Sequence, residues 1–270
     1  MMRSLRELER VEWRALGALR FVDATTGMTV QQPLVLDAPG ARFIRNSSAF
    51  YVLRTWDKLT SYTDEFLTPP ALPAVGSLTL KITVTDPEGT YLPIVCSLPL
   101  PRSADPANAN AADSVFRAQS VPLYPASIAP TGANWAVLRV TLTETDTGDA
   151  LGGALLRIFN ASKTFAQGLT DWRGEALLPV VGVPVTTFSE AAGAVVISEI
   201  SVNLRAAFDP ATGSRTPVAA VRKNQPPPVI PAIDPVALGT NFETLPNTPP
   251  LALSIAARRS QTVSLTLDLP

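Results

Sequence analysis

The sequence predicts an all-β protein of two β-sandwich modules, with a short helix in front and a long proline-rich arm behind. Three observations carry that expectation. From Leu19 onward, apolar residues recur in short runs of period two rather than at helical spacing. Each run ends in Asp, Gly, Pro or Asn, the residues that close turns. The 26 prolines and 15 glycines among 270 residues favour corners and sheet edges over helices.

Residues 1–16 are the exception. Leu5, Leu8, Val11 (or Glu12) and Ala15 or Leu16 fall at helical spacing while Arg3, Arg6, Glu7, Glu9 and Arg10 take the other face, which predicts an amphipathic helical arm. Such an arm either caps its own domain or docks on a neighbouring subunit.

Residues 17–101 read as the first β module, through LRFVDATTG, TVQQPLVL, RFIRNSSAFYVL and SLTLKITVTDPEGTYLPIVCSLPL. Its turns are explicit at Asp23 to Gly27, Asp37 to Gly40 and Asp86 to Gly89. In the last, Pro87 suits the second position and Gly89 the fourth of a type I turn. Residues 102–135 form a linker: RSADPANANAADS has no periodicity, and VPLYPASIAPTGANW is punctuated by proline.

The second module spans 136–210. Its first strand alternates cleanly, with Leu138, Val140 and Leu142 on one face and Val137, Arg139, Thr141 and Thr143 on the other, as a strand with one wet side requires. The two modules look alike: RFVDATTG leads to FYVL at 50–53, and TLTETDTG leads to EALLP at 175–179. The Gly27 to Phe50 and Gly148 to Glu175 separations are 23 and 27 residues, as in a diverged duplication.

Residues 211–270 form the proline-rich arm. QPPPVIP, with Pro226, Pro227 and Pro228, is either a rigid spacer or a ligand for an aromatic groove. The arm ends in a strand whose Val263, Leu265 and Leu267 face one side. A strand arriving after so long an arm must pair with an edge, in this chain or in another. Exchange with a neighbouring subunit is the expectation, and removal of 222–270 is then expected to leave both sandwiches folded.

Composition excludes several functions. With 17% charged residues and a net charge of −1, the chain offers no basic surface for nucleic acid. It has no histidine, so the commonest general base and zinc ligand are missing and a Ser-His-Asp mechanism cannot be written. Ser47 and Ser48 have neither a histidine nor a nucleophile-elbow motif around them. The single cysteine, Cys96, excludes an internal disulfide and reads as a small core hydrophobe. No run of about eighteen apolar residues suggests a membrane span, and the N-terminal residues do not read as a signal peptide. The expectation is a non-enzymatic cytoplasmic protein with no cofactor and no metal.

The stretch GLTDWRGEALLPV, 168–180, poses the sharpest question, since a tight corner and a binding site use similar residues. Gly174 suits a backbone angle that side chains resist, and Asp171 suits acceptance of amides from its own turn, so both read as architecture. A sugar or calcium site at Asp171 and Glu175 is the alternative. Trp172 is a partly exposed corner residue or a contact, and Trp135 is a second candidate contact.

Together, ETDTGDALGGALLRIFN and GLTDWRGEALLP make residues 136–210 resemble the carboxypeptidase regulatory-like, or transthyretin-like, domain, a small seven-stranded sandwich. The resemblance implies that Asp171 and Gly174 make a corner between strands and perform no catalysis, and it gives the fold as two Ig-like or transthyretin-like modules. A broader resemblance rests on the DPEGTYLP segment at 86–93, the LPLPR segment at 98–102 and the VPLYP segment at 121–125. In these the chain looks like components encoded beside the tail, sheath and baseplate proteins of phage-tail-like contractile injection systems. That implies a structural, baseplate-proximal part whose partners are other particle subunits, including copies of itself. A carbohydrate or cell-surface binding module is the alternative.

Overall fold

The structure is a computed structural model that describes residues 14–64, 71–184, 187–188, 195–196, 199–230 and 232–269. The chain is all-β. The strands are, in order, β1 (Gly17–Asp23), β2 (Val35–Asp37), β3 (Ala41–Arg45), β4 (Phe50–Trp56), β5 (Leu78–Thr85) and β6 (Ile94–Leu100). Next come β7 (Gln119–Leu123), β8 (Ala136–Glu144), β9 (Ala150–Gly152), β10 (Leu155–Phe159), β11 (Thr164–Leu169) and β12 (Glu175–Val180). The last are β13 (Thr187–Phe188), β14 (Val195–Val196), β15 (Ile200–Ala207), β16 (Ser214–Thr216), β17 (Leu251–Ile255) and β18 (Ser260–Leu267). Among the described residues, three short α-helices, α1 (Thr60–Asp64), α2 (Val218–Arg222) and α3 (Pro235–Thr240), and two 3-10 turns, Asp57–Leu59 and Pro106–Asn108, complete the set. Apart from residues 14–16, the helix expected over 1–16 lies outside the described residues.

Two compact units emerge, and they are interleaved rather than consecutive. The first takes Met1–Arg20, Ala38–Leu80 and Leu98–Gln119; the second takes Phe21–Asp37, Lys81–Ser97 and Ser120–Pro270. These bounds differ from the division expected at 1–16, 17–101, 102–135, 136–210 and 211–270.

In the first unit β4 pairs antiparallel with β3 and with β1. Asn46 turns the β3–β4 hairpin by accepting the amides of Ser48 and Phe50 at 3.0 and 2.8 Å. Leu19, Leu53, Leu59, Leu98 and Leu100 are all fully buried. Arg102 is 7% exposed, and it clasps the 103–118 loop by donating to the carbonyls of Ser114, Ala112 and Arg117 at 3.0, 2.5 and 3.2 Å. The segment read as a linker is thus held by a buried guanidinium, whose burial pushes its pKa below the usual value.

The second unit contains a two-sheet sandwich. One sheet has the order β11-β10-β15-β17; the other has β12-β8-β9-β16, with β18 parallel beside β8. Between them pack Leu138, Val140 and Leu142 from β8, Leu156 and Ile158 from β10, Leu204 from β15 and Leu178 from β12. The inward set of β8 predicted by alternation is the observed one.

This sandwich does not close at residue 210. Ile255 of β17 and Leu265 and Leu267 of β18 belong to the same core, with Val263 half-buried beside them. Of the two places open to it, β18 here finds its edge in its own chain, in an unbroken parallel register from Ser260↔Val137 to Leu267↔Glu144. The arm between is also bound down. Phe242 lies under two guanidinium groups, with Arg157 and Arg205 at 4.1 and 5.5 Å from its ring centre, and Arg157 donates to the carbonyl of Gly239 at 2.8 Å. Pro226 and Pro228 stay exposed and Pro227 half-exposed.

Candidate functional site

Two pairs of turns organise the second unit. At the end of β1 the amide of Gly27 donates to the carbonyl of Asp23 at 2.8 Å; at the end of β8 the amide of Gly148 donates to Glu144 at 3.0 Å. In both, the threonine before the glycine gives its hydroxyl to the acid that opens the turn, Thr26 to Asp23 and Thr147 to Glu144.

The second pair is a corner, and it occurs twice as Thr-Asp-x-x-Gly. In Thr170-Asp171-Trp172-Arg173-Gly174 the carboxylate accepts the amides of Arg173 and Glu175 at 2.9 and 3.0 Å, and Gly174 donates to the Asp171 carbonyl at 2.9 Å. In Thr85-Asp86-Pro87-Glu88-Gly89 the carboxylate accepts the amides of Glu88 and Thr90 at 3.0 and 2.8 Å, and Gly89 donates to Asp86 at 3.1 Å. Gly174 and Gly89 have φ of 72° and 70°, in the left-handed region that glycine tolerates best.

The counterpart of the 170–174 corner is therefore 85–89, and not the strand at 50–53. Residues 38–80, which belong to the other unit, stand between the turn and the corner in the first copy.

Both corners line one cleft of about 380 Å³. Thr85, Asp86, Gly89 and 91–93 contribute to its walls with Leu169 to Arg173, together with Ala126 to Ile128, Ile230 and Ile233. The lining is mainly apolar: Ile128 is 76% exposed and Ile230 48%.

Asp171, Arg173 and Ser127 gather in its wall. Arg173 donates to Asp171 Oδ2 through Nε and Nη2 at 3.2 and 2.9 Å and to Ser127 Oγ at 2.9 Å, while Ser127 Oγ donates to Asp171 Oδ2 at 3.3 Å. Burial works against the guanidinium charge, but the bond to Asp171 and the fields of Asp171 and Glu175 outweigh it and hold the Arg173 pKa above its ordinary value. Tyr91, which also lines the cleft, donates to Asp23 Oδ2 at 2.9 Å, and burial followed by that neighbouring carboxylate pushes the phenol well above its usual range.

Both carboxylate oxygens of Asp171 are engaged. Oδ1 carries two backbone amides and Oδ2 carries the Arg173 guanidinium and the Ser127 hydroxyl, so the side chain serves its corner. Among the described residues no group of three His, Cys, Asp or Glu side chains is placed to hold a metal ion. Trp172 is half-buried and lines the cleft. Trp135 does not line it and packs instead on Ala129, Val137 and Leu177. Cys96 is buried, and burial with the nearby charge of Asp234 pushes its thiol up to about 12.

The sequence reading missed Ser127, Arg173 and Arg102 as positioning groups. The repeated Thr-Asp-x-x-Gly, each followed by Leu-Pro at Leu92-Pro93 and Leu178-Pro179, is the signal that reveals the second corner.

No family model matches the chain, and no curated protein matches it. Among solved structures, BcpA, the major pilin subunit of Bacillus cereus, shares 9% identity with it and superposes with a TM-score of 0.23. The alignment covers 88% of this chain and 55% of that one, so the chain spans about half the length of that pilin. So slight a likeness carries no argument about fold or function. Among the described residues, no helix is long and apolar enough to cross a membrane.

Proposed function

We propose that the chain is a non-catalytic structural component of a multi-protein particle of the contractile-injection or phage-tail kind, at or near the baseplate. One observation carries the reading. The polar side chains at the cleft are engaged in bonding their own corners, as Asp171 and Asp86 are, while the surfaces left open are apolar, as at Ile128 and Ile230. Open apolar walls on a rigid frame suit contact with another protein rather than turnover of a substrate.

The landmark segments support it in the same way. Residues 86–93 build a corner, Arg102 clasps a loop, and Tyr124 is buried with its phenol 3.4 Å from Gln167. Each landmark serves construction. Particles purified from the source should contain this chain at fixed stoichiometry. Particles whose composition and activity are unchanged when its gene is deleted would overturn the reading.

A glycan-binding module is the second reading, favoured by Trp172 in the cleft wall with its ring 5.8 Å from the Arg173 guanidinium. Glycan-array binding that Trp172→Ala abolishes supports this alternative against the first.

A further inference from the structure

Strand β18 ends its sheet: among the described residues it pairs only with β8. The bonds at its two ends fix which backbone groups face which way. Val137 donates to the carbonyl of Arg259 at 2.9 Å, and Thr145 donates to that of Leu267 at 3.1 Å. In a parallel ladder every second residue faces the partner, so the odd-numbered residues of β18 bond to β8. The amides and carbonyls of Ser260, Thr262, Ser264 and Thr266 therefore point out along the open edge.

That edge lacks the usual protection. Soluble proteins guard long edges with lysine, proline, a bulge or a very short strand. Residues 260–267 contain no charge and no proline, and their register with β8 runs for eight pairs without a break. The side chains of Ser260, Thr262, Ser264 and Thr266 are all exposed.

We propose that this edge is a self-pairing surface, on which β18 of a second copy adds antiparallel to form one sheet across two chains. Charge complementarity favours a copy of itself as the occupant. With Val263 on the two-fold axis, Thr262 falls opposite Ser264 and Ser260 opposite Thr266, so each outward-facing residue meets another outward-facing residue, as antiparallel exchange of hydrogen bonds requires. Carried past the strand ends, the same register places Arg258, in the turn before β18, near Asp268 of the other copy; both side chains are exposed, and Arg258 Nε also donates to Asn134 Oδ1 at 3.0 Å. Val263, half-buried in one copy, then meets itself across the axis on the core side. The proposal does not depend on membership of a particle.

Sedimentation of the full chain over a range of concentrations tests it. The wild type is expected to be dimeric, and Thr262→Lys with Ser264→Lys is expected to abolish the dimer while leaving the unfolding temperature equal to that of wild type diluted to the monomer, because neither amide serves its own sheet. Asp268→Arg alone weakens the dimer, and Arg258→Asp together with Asp268→Arg restores it. A wild type that stays monomeric at every concentration, as when the edge is reserved for a strand of a different protein, overturns the proposal. So does a dimer that the two lysines leave intact.

Discussion

The hydroxyl of Thr170 donates to the carbonyl of Leu151 over 2.7 Å and accepts the amide of Ala154 over 2.8 Å. The side chain is buried, so it satisfies two backbone groups that water does not reach. Thr170→Val keeps the shape and strands both groups, with an expected loss of about 2–4 kcal/mol in chemical denaturation. Thr170→Ser keeps the hydroxyl and should lose only about 1 kcal/mol.

The two equivalent corners offer a controlled comparison. A Cβ on Gly174 would come within 2.4 Å of the Leu142 carbonyl oxygen, whereas one on Gly89 would meet nothing within 4 Å. Both substitutions bear the left-handed strain of about 1–2 kcal/mol. Gly174→Ala adds overpacking of about 1–3 kcal/mol. Thermal unfolding should therefore rank Gly174→Ala well below Gly89→Ala, and equal midpoints would refute the close approach at Leu142.

Arg102→Met preserves much of the apolar stem and removes every donor to the carbonyls of Ala112, Ser114 and Arg117. A loss of about 2–4 kcal/mol is expected. Limited proteolysis should then cut within 103–118 before it cuts elsewhere.

Much of this frame was legible in the sequence, for identifiable reasons. Alternation in 137–143 gave the buried face of β8 because a strand between two neighbours with one wet side has no other way to arrange its residues. Asp171 and Gly174 were readable as a corner because the bonds they make are local. The interleaved units were not readable: residues 38–80 separate the first turn from its corner at Thr85, so the repeat was aligned with Phe50 instead. The placement of β18 rests on pairing between residues 260–267 and 137–144, which no local pattern encodes. Ser127 and Arg173 meet Asp171 through folding alone in the first case and through a single turn in the second.

Glu144 supplies a pH dependence. Its side chain is 7% exposed, and hydrogen bonds from Thr147 and then Arg215 hold its carboxyl below the usual 4.5 despite burial. A depressed folded pKa contributes stability that is complete above the unfolded value and is lost as pH falls through the folded one. The unfolding temperature of the wild type should therefore exceed that of Glu144→Gln by a constant margin from pH 7 to about 4.5, and the margin should shrink below that. A margin that widens on acidification would contradict the assignment.

Deleting 251–269 removes Ile255, Leu265 and Leu267 from the core, each worth about 2 kcal/mol of burial. The truncated chain should lose cooperative unfolding of the second unit. This reverses the expectation that the arm can be cut away, and a truncated protein that still melts in one sharp transition at the wild-type temperature would show that the two last strands are dispensable.

The parallel seat of β18 also sets an order of events during synthesis. When residues 136–144 leave the ribosome, the strand that will cover one side of them has not yet been translated, and more than a hundred residues must follow before it is. For that interval the nascent protein carries an open edge along β8 in its five-stranded sheet, where a passing strand or a chaperone has first access.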